Sequence, residues 1–165
     1  MIQKKICMLG AFAVGKTSLV KRFVESIFSE KYQTTVGVKI DKKALDINGQ
    51  QVNLILWDIQ GEDEAQEIRL SYLRGASGYI LVADGTRPVS LDVALAIHEK
   101  AKETVGEVAH MLVLNKSDLT DEWKLDDNTV KELTEKGWTV ITTSARTGQD
   151  VEKAFTVLAQ KMLPA

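Results

Sequence analysis

Short apolar runs, "KKICMLG", "GYILVAD", "HMLVLN" and "WTVITTS", alternate along this chain with longer segments whose apolar residues recur at helical spacing. That alternation predicts βαβ units and a mainly parallel sheet. A first strand over about Lys4 to Leu9 is followed by a helix from about Lys16 to Ser26. The polar stretch from Phe28 to Thr35 fits neither period and reads as a mobile loop. Val36 to Ile47 and Gln51 to Trp57 alternate as strands around Asn48-Gly49, a dipeptide suited to a type I′ turn, so they form an antiparallel hairpin. The segment "DIQGEDEAQE" leads into a helix ending about Arg74. Ser90 is expected to cap a helix running to about Val105. Further helices cover Asp126 to Lys136 and Asp150 to Met162. The expected architecture is α/β, with six strands, one antiparallel edge pair and five helices on both faces.

Composition narrows the function classes. With 165 residues, the chain is expected to form a single domain over residues 1–165, large enough to need no staples. Its one cysteine, Cys7, lies in an apolar strand and has no partner for a disulfide, which fits a reducing, cytoplasmic setting. A net charge of −2 and the lack of a basic stripe argue against nucleic acid as a partner. No apolar run approaches the roughly 20 residues that span a bilayer. Neither lipidation signal nor terminal cysteine is seen, so no lipid anchor is expected. His98 lies in a predicted helix and His110 begins a strand, with no second imidazole or acid spaced as a metal ligand, so neither is a zinc candidate. Trp57, Trp123 and Trp138 read as core or loop anchors, and Arg69 and Arg74 as solvated charges.

Candidate chemistry collects in the loops after strands. In such sheets ligands sit at the carboxyl ends of strands. "GAFAVGKTS" after the first strand has the P-loop spacing Gly10, Gly15, Lys16, Thr17, opening a helix. Backbone N–H groups of Gly10, Ala13, Val14, Gly15 and the residues to Ser18 can turn toward phosphate oxygens. Lys16 reaches the terminal phosphates, and the Thr17 hydroxyl offers Mg²⁺ the hard oxygen it prefers. The loop alone specifies a nucleoside triphosphate.

"NKSD" supplies the base. The Asp118 carboxylate can accept two hydrogen bonds from guanine, which adenine cannot give. With adenine the carboxylate would be an unpaired buried charge, a discrimination of about 10⁴ or more. The Asn115 amide is expected on the opposite side of the base, and the Lys116 stem along its ring. "TSAR" contributes Ser144, Ala145 and Arg146, with the Ala145 N–H aimed at the guanine carbonyl oxygen.

With "GAFAVGKTSLVKRF", "QTTVGV", "LWDIQGED", "LNKSD" and "TSAR" in order over nearly the whole length, the chain resembles the Ras-like small GTPases, and most of all the Rab-type branch. That resemblance implies a P-loop NTPase fold and a GTP/GDP switch with Mg²⁺ and slow hydrolysis. It implies two segments, residues 28–38 and 59–75, that meet effectors and regulators in a monomeric protein. By the same resemblance Thr35 and Asp58 join Thr17 around Mg²⁺. Phe28 packs near the base, Tyr32 covers the phosphates, and the Gly61 N–H meets the γ-phosphate.

Two departures concern hydrolysis. Glu62 stands where the family has the glutamine that orients the attacking water, with Gln60 offering a displaced amide. A carboxylate there can accept a proton but adds negative charge beside the triphosphate. Phe12 puts a ring where small residues are usual, obstructing an arginine finger supplied by a partner. A nucleotide-locked adaptor with little or no hydrolysis is therefore the alternative reading, and an adenine-nucleotide phosphotransferase a third that "NKSD" disfavours.

Overall fold

The computed structural model describes residues 2–26, 28, 37–59 and 70–163. Strand β1 (Ile2–Gly10) leads into helix α1 (Lys16–Glu25), then β2 (Val38–Ile47) and β3 (Gln50–Ile59). A 3₁₀ turn over Leu70–Leu73 precedes β4 (Gly78–Asp84), α2 (Pro88–Val105), β5 (Ala109–Asn115), α3 (Asp127–Glu135), β6 (Val140–Thr142) and α4 (Val151–Met162). The six strands lie in the order β2-β3-β1-β4-β5-β6. β2 and β3 pair antiparallel, and the other neighbours are parallel.

Alternation within strands builds two cores. In β1, Ile6 and Met8 point to the face covered by α1 and α4, while Cys7 and Leu9 point to that covered by α2 and α3. Central β4, "GYILVAD", is buried throughout, as a parallel strand covered on both faces must be. On the first face Phe23 of α1 stacks on Phe155 of α4, ring centroids 4.1 Å apart. That contact joins the helix after the phosphate loop to the last helix.

The hairpin turns as expected, with Asn48 and Gly49 at φ of 54° and 83° and Ile47 opposite Gln50. The start of α2 differs. Pro88 occupies its first turn, where the missing N–H costs nothing, and Ser90 is an interior residue rather than the cap. The fully buried Ser90 hydroxyl donates to Arg87 O at 2.7 Å and accepts from the Asp84 N–H at 2.8 Å, fastening α2 to the end of β4. Of the five expected helices, four are present among the described residues. The segment expected to be helical up to Arg74 is seen there only as the Leu70–Leu73 turn. β6 is shorter than the apolar run suggested, covering only Val140–Thr142, although the Thr143 N–H still donates to Leu114 O of β5 at 2.8 Å.

The two histidines, His98 in α2 and His110 in β5, meet at the other end of the sheet. His98 and His110 have ring centroids 4.8 Å apart, both against Trp138, and the Tyr79 hydroxyl lies 2.8 Å from His98 Nδ1. Among the described residues no group of three or more His, Cys, Asp and Glu could hold a metal. Among them, too, no helix is long and apolar enough to cross a membrane.

Candidate functional site

The loops after β1, β4, β5 and β6 meet at the carboxyl edge of the sheet, where Asp58 near the end of β3 also lies. The chain turns from β1 into α1 through Ala13 at φ 61° and Gly15 at φ 103°. A β-carbon on Gly15 would stand 2.3 Å from Asn115 Nδ2, so both conformation and space exclude a side chain there. Val14 is buried beneath the loop, and Ser18 continues into the first turn of α1.

Lys16 folds back over this loop. Its ammonium donates to Ala11 O at 3.1 Å and reaches Gly10 O at 3.4 Å, with the residue 6% exposed. Burial pushes its pKa down to about 8, and the nearby Asp58 carboxylate offsets this only in part. An anion cradled by the loop would favour the charged form further, which is the fit expected of a phosphate site. Beside it, the Thr17 hydroxyl donates to Asp58 Oδ2 at 2.5 Å. Residues from α1 and β3 thus bring a hydroxyl and a carboxylate together, both hard oxygen donors suited to Mg²⁺.

The base side is held by a second set of bonds. Ser144 Oγ donates to Asp118 Oδ1 at 2.8 Å, orienting that carboxylate from the loop after β6. Asn115 lies among these loops. Its Nδ2 donates to Val14 O at 3.1 Å, and its Oδ1 accepts from Thr143 Oγ1 and from the Ala145 N–H, at 3.1 and 3.2 Å. The amide therefore ties three loops together. The Ala145 N–H, expected on the guanine carbonyl, is engaged by this amide. Lys116, at φ 73°, sends its ammonium to Ala13 O at 3.1 Å and to Asp84 Oδ2 at 3.0 Å. Phe28 is half-buried against the α1 and α4 core.

Three supporting residues, Asp84, Arg87 and Arg22, were not singled out from the sequence. Asp84 is buried at the end of β4. Burial alone raises its pKa, but hydrogen bonds from the Thr86 N–H and hydroxyl, with the Lys116 ammonium, outweigh this and hold it below the usual carboxylate range. Arg87 lies 4.0 Å from the same carboxylate and donates to Phe12 O at 3.0 Å, fixing the outer lip of the phosphate loop. Phe12 itself stands 44% exposed on that lip. Arg22 of α1 donates to Ala145 O at 2.8 Å and to Arg146 O. An Asp ending a strand was a visible signal for Asp84. Nothing near Arg22 in sequence pointed to a loop over a hundred residues on. Tyr32, Thr35, Gln60, Gly61 and Glu62 lie outside the described residues.

The model of the Ras family matches residues 5–164. The Ras-related protein Rab-1 of Theileria annulata is 34% identical over 161 residues, covering 96% of this chain and 73% of that protein. The chain belongs to the Ras family. Members of this family are GTP-binding switches and GTPases, and bind guanine nucleotide with Mg²⁺.

Proposed function

We propose that this chain is a guanine-nucleotide switch that takes up GTP and GDP with Mg²⁺ and hydrolyses GTP slowly at the bond between the β and γ phosphates. Lys16 carries the reading: a buried ammonium, its pKa lowered by burial to about 8, folds against a loop whose backbone turns at Ala13 and Gly15. Triphosphate oxygens would give this cation its counter-charge. Backbone N–H groups from Gly10 to Ser18 would take the remaining phosphate oxygens. Thr17 and Asp58 would hold Mg²⁺, with Thr35 completing the set by resemblance. Bound Mg²⁺ supplies positive charge against the charge that develops as the phosphoryl group transfers.

Asp118, oriented by Ser144, would select guanine through its amino and ring N–H groups, and the Lys116 stem would lie along the ring. Asn115, Ala145 and Arg146 would shape the pocket through the loop ties described above. Gly61 would meet the γ-phosphate, while Gln60 or Glu62 would place the attacking water. Slow hydrolysis is the family's expectation, and the Glu62 carboxylate acts in both directions, accepting a proton while adding negative charge beside the triphosphate. Residues 1–165 would act as one G domain, a monomer in the cytoplasm, offering 28–38 and 59–75 to effectors and regulators.

The adaptor reading is favoured by one observation: the exposed Phe12 ring on the phosphate-loop lip, where an activating arginine would have to enter. Phosphate release from protein preloaded with GTP separates the two. A single-turnover rate on the order of 10⁻⁴ to 10⁻² s⁻¹ supports the hydrolysing switch. Release no faster than GTP in buffer supports the adaptor. Recovery of adenine nucleotides from the denatured protein, or preference for ATP over GTP, would overturn both.

A further inference from the structure

The two halves of the candidate pocket are built on different parts of the chain. The phosphate side belongs to the loop that becomes α1, and the base side to the loops after β5 and β6. One side chain links α1 directly to the last of these. Arg22 sits in the closing half of α1, and its Nε donates to Ala145 O at 2.8 Å. A second guanidinium nitrogen donates to Arg146 O, and Nη1 reaches Ser26 O at 3.5 Å. Its stem runs beside Gly148, where a β-carbon would lie 3.7 Å from Arg22 Cδ. The planar fork of an arginine suits two successive carbonyls that an ammonium could not span.

The Ala145 peptide is thus gripped at both ends, its N–H by Asn115 and its carbonyl oxygen by Arg22. The neighbouring turn is closed on itself, Gly148 N–H donating to Ser144 O at 2.8 Å and Thr147 N–H to Ser144 Oγ at 3.1 Å. Ser144 is also the residue that orients Asp118. Release of Arg22 would therefore loosen the Ala145 and Ser144 loop as a unit. The Arg87 contact with the phosphate-loop lip would stay intact.

We propose that Arg22 is a positioning residue that sets how long the nucleotide stays bound, by clasping the base-recognition loop to the helix that follows the phosphate loop. It touches neither base nor phosphate, and it acts on departure. A bound nucleotide leaves when the base loop swings from α1, and the clasp opposes that swing. Arrival into an already open pocket depends on it much less. The inference rests on the guanine-nucleotide reading given above.

The test compares wild type with Arg22→Ala, Arg22→Lys and Arg22→Gln, each loaded with a fluorescent GDP and Mg²⁺ and chased with excess unlabelled GDP. Dissociation is expected to quicken about 10- to 100-fold in R22A, as loss of hydrogen bonds from a charged donor would give. It should quicken less in R22K and R22Q, which keep one donor. Association should stay within about threefold of wild type, and the rate of GTP cleavage in a single turnover should not follow the dissociation rate. Dissociation within twofold of wild type in R22A, or an equal fall in association and cleavage that marks general loosening, would overturn the proposal. Should R22A fail to fold, R22Q must show the same separation of rates. A wild-type protein that holds no guanine nucleotide sinks the underlying reading; tight wild-type binding with an unchanged R22A rate sinks only the clasp.

Discussion

Lys16 offers a quantitative test in the nucleotide-free chain. Burial lowers its pKa from 10.5 to about 8. At about 1.4 kcal/mol for each pH unit, the charged form is disfavoured there by about 3 kcal/mol. The unfolded chain keeps the Lys16 proton until about pH 10.5, whereas the folded chain releases it near pH 8. Between those values the unfolded state binds more protons, so the contribution of Lys16 to stability rises with pH. Burial of Cys7 and Tyr79 acts in the opposite sense, pushing each pKa up to about 12. Both residues are untouched in Lys16→Met, so subtracting the variant from wild type removes their effect. Urea unfolding followed by tryptophan fluorescence, in chelator and without nucleotide, should show wild type gaining about 2 to 3 kcal/mol on K16M from pH 7 to pH 10. Saturating GDP and Mg²⁺ should abolish that slope in wild type, because phosphate oxygens beside the ammonium restore its charge. K16M should show no stabilisation by the nucleotide. A wild-type minus variant difference that is flat over this range, or that survives with nucleotide bound, would refute the account of Lys16 as a buried cation completed by phosphate.

Two further outcomes follow from the geometry. Gly15→Ala places a β-carbon against Asn115 Nδ2 at φ 103°. It should cost about 1 to 3 kcal/mol in unfolding free energy and weaken GDP binding at least a hundredfold, measured by urea midpoint and equilibrium titration. Binding within tenfold of wild type would contradict the packing described. At the opposite end of the sheet, His98 has its pKa lowered, chiefly by burial and then by His110 and Lys102, with Glu99 and Glu107 opposing. The unfolded chain takes up the His98 proton first as pH falls through about 6.5, so the urea midpoint should drop between about pH 7.5 and pH 5.5. His98→Gln should flatten that dependence, and an acid loss of the same size in H98Q would assign it elsewhere.

Residue pattern along the chain was enough to read the order of elements and which of their ends carry chemistry. Alternating apolar runs have only one economical burial, a sheet covered on both faces, and Asn48-Gly49 supplies backbone conformations that close β2 on β3. The spacing of Gly10, Gly15, Lys16 and Thr17 was legible because it is local, a strand, a turn and a helix start within one stretch of chain. Asp58 and Asp118 were legible because each ends or follows an apolar strand. Only the tertiary structure decided which polar groups support which. Asn115 serves Val14, Thr143 and Ala145; Asp84 holds Lys116; Arg22 holds Ala145 and Arg146; and His98 meets His110. Each of these pairs joins elements brought together by strand order and helix packing. A hydrogen bond depends on separations of a few tenths of an ångström, and periodicity along the chain carries no information at that scale.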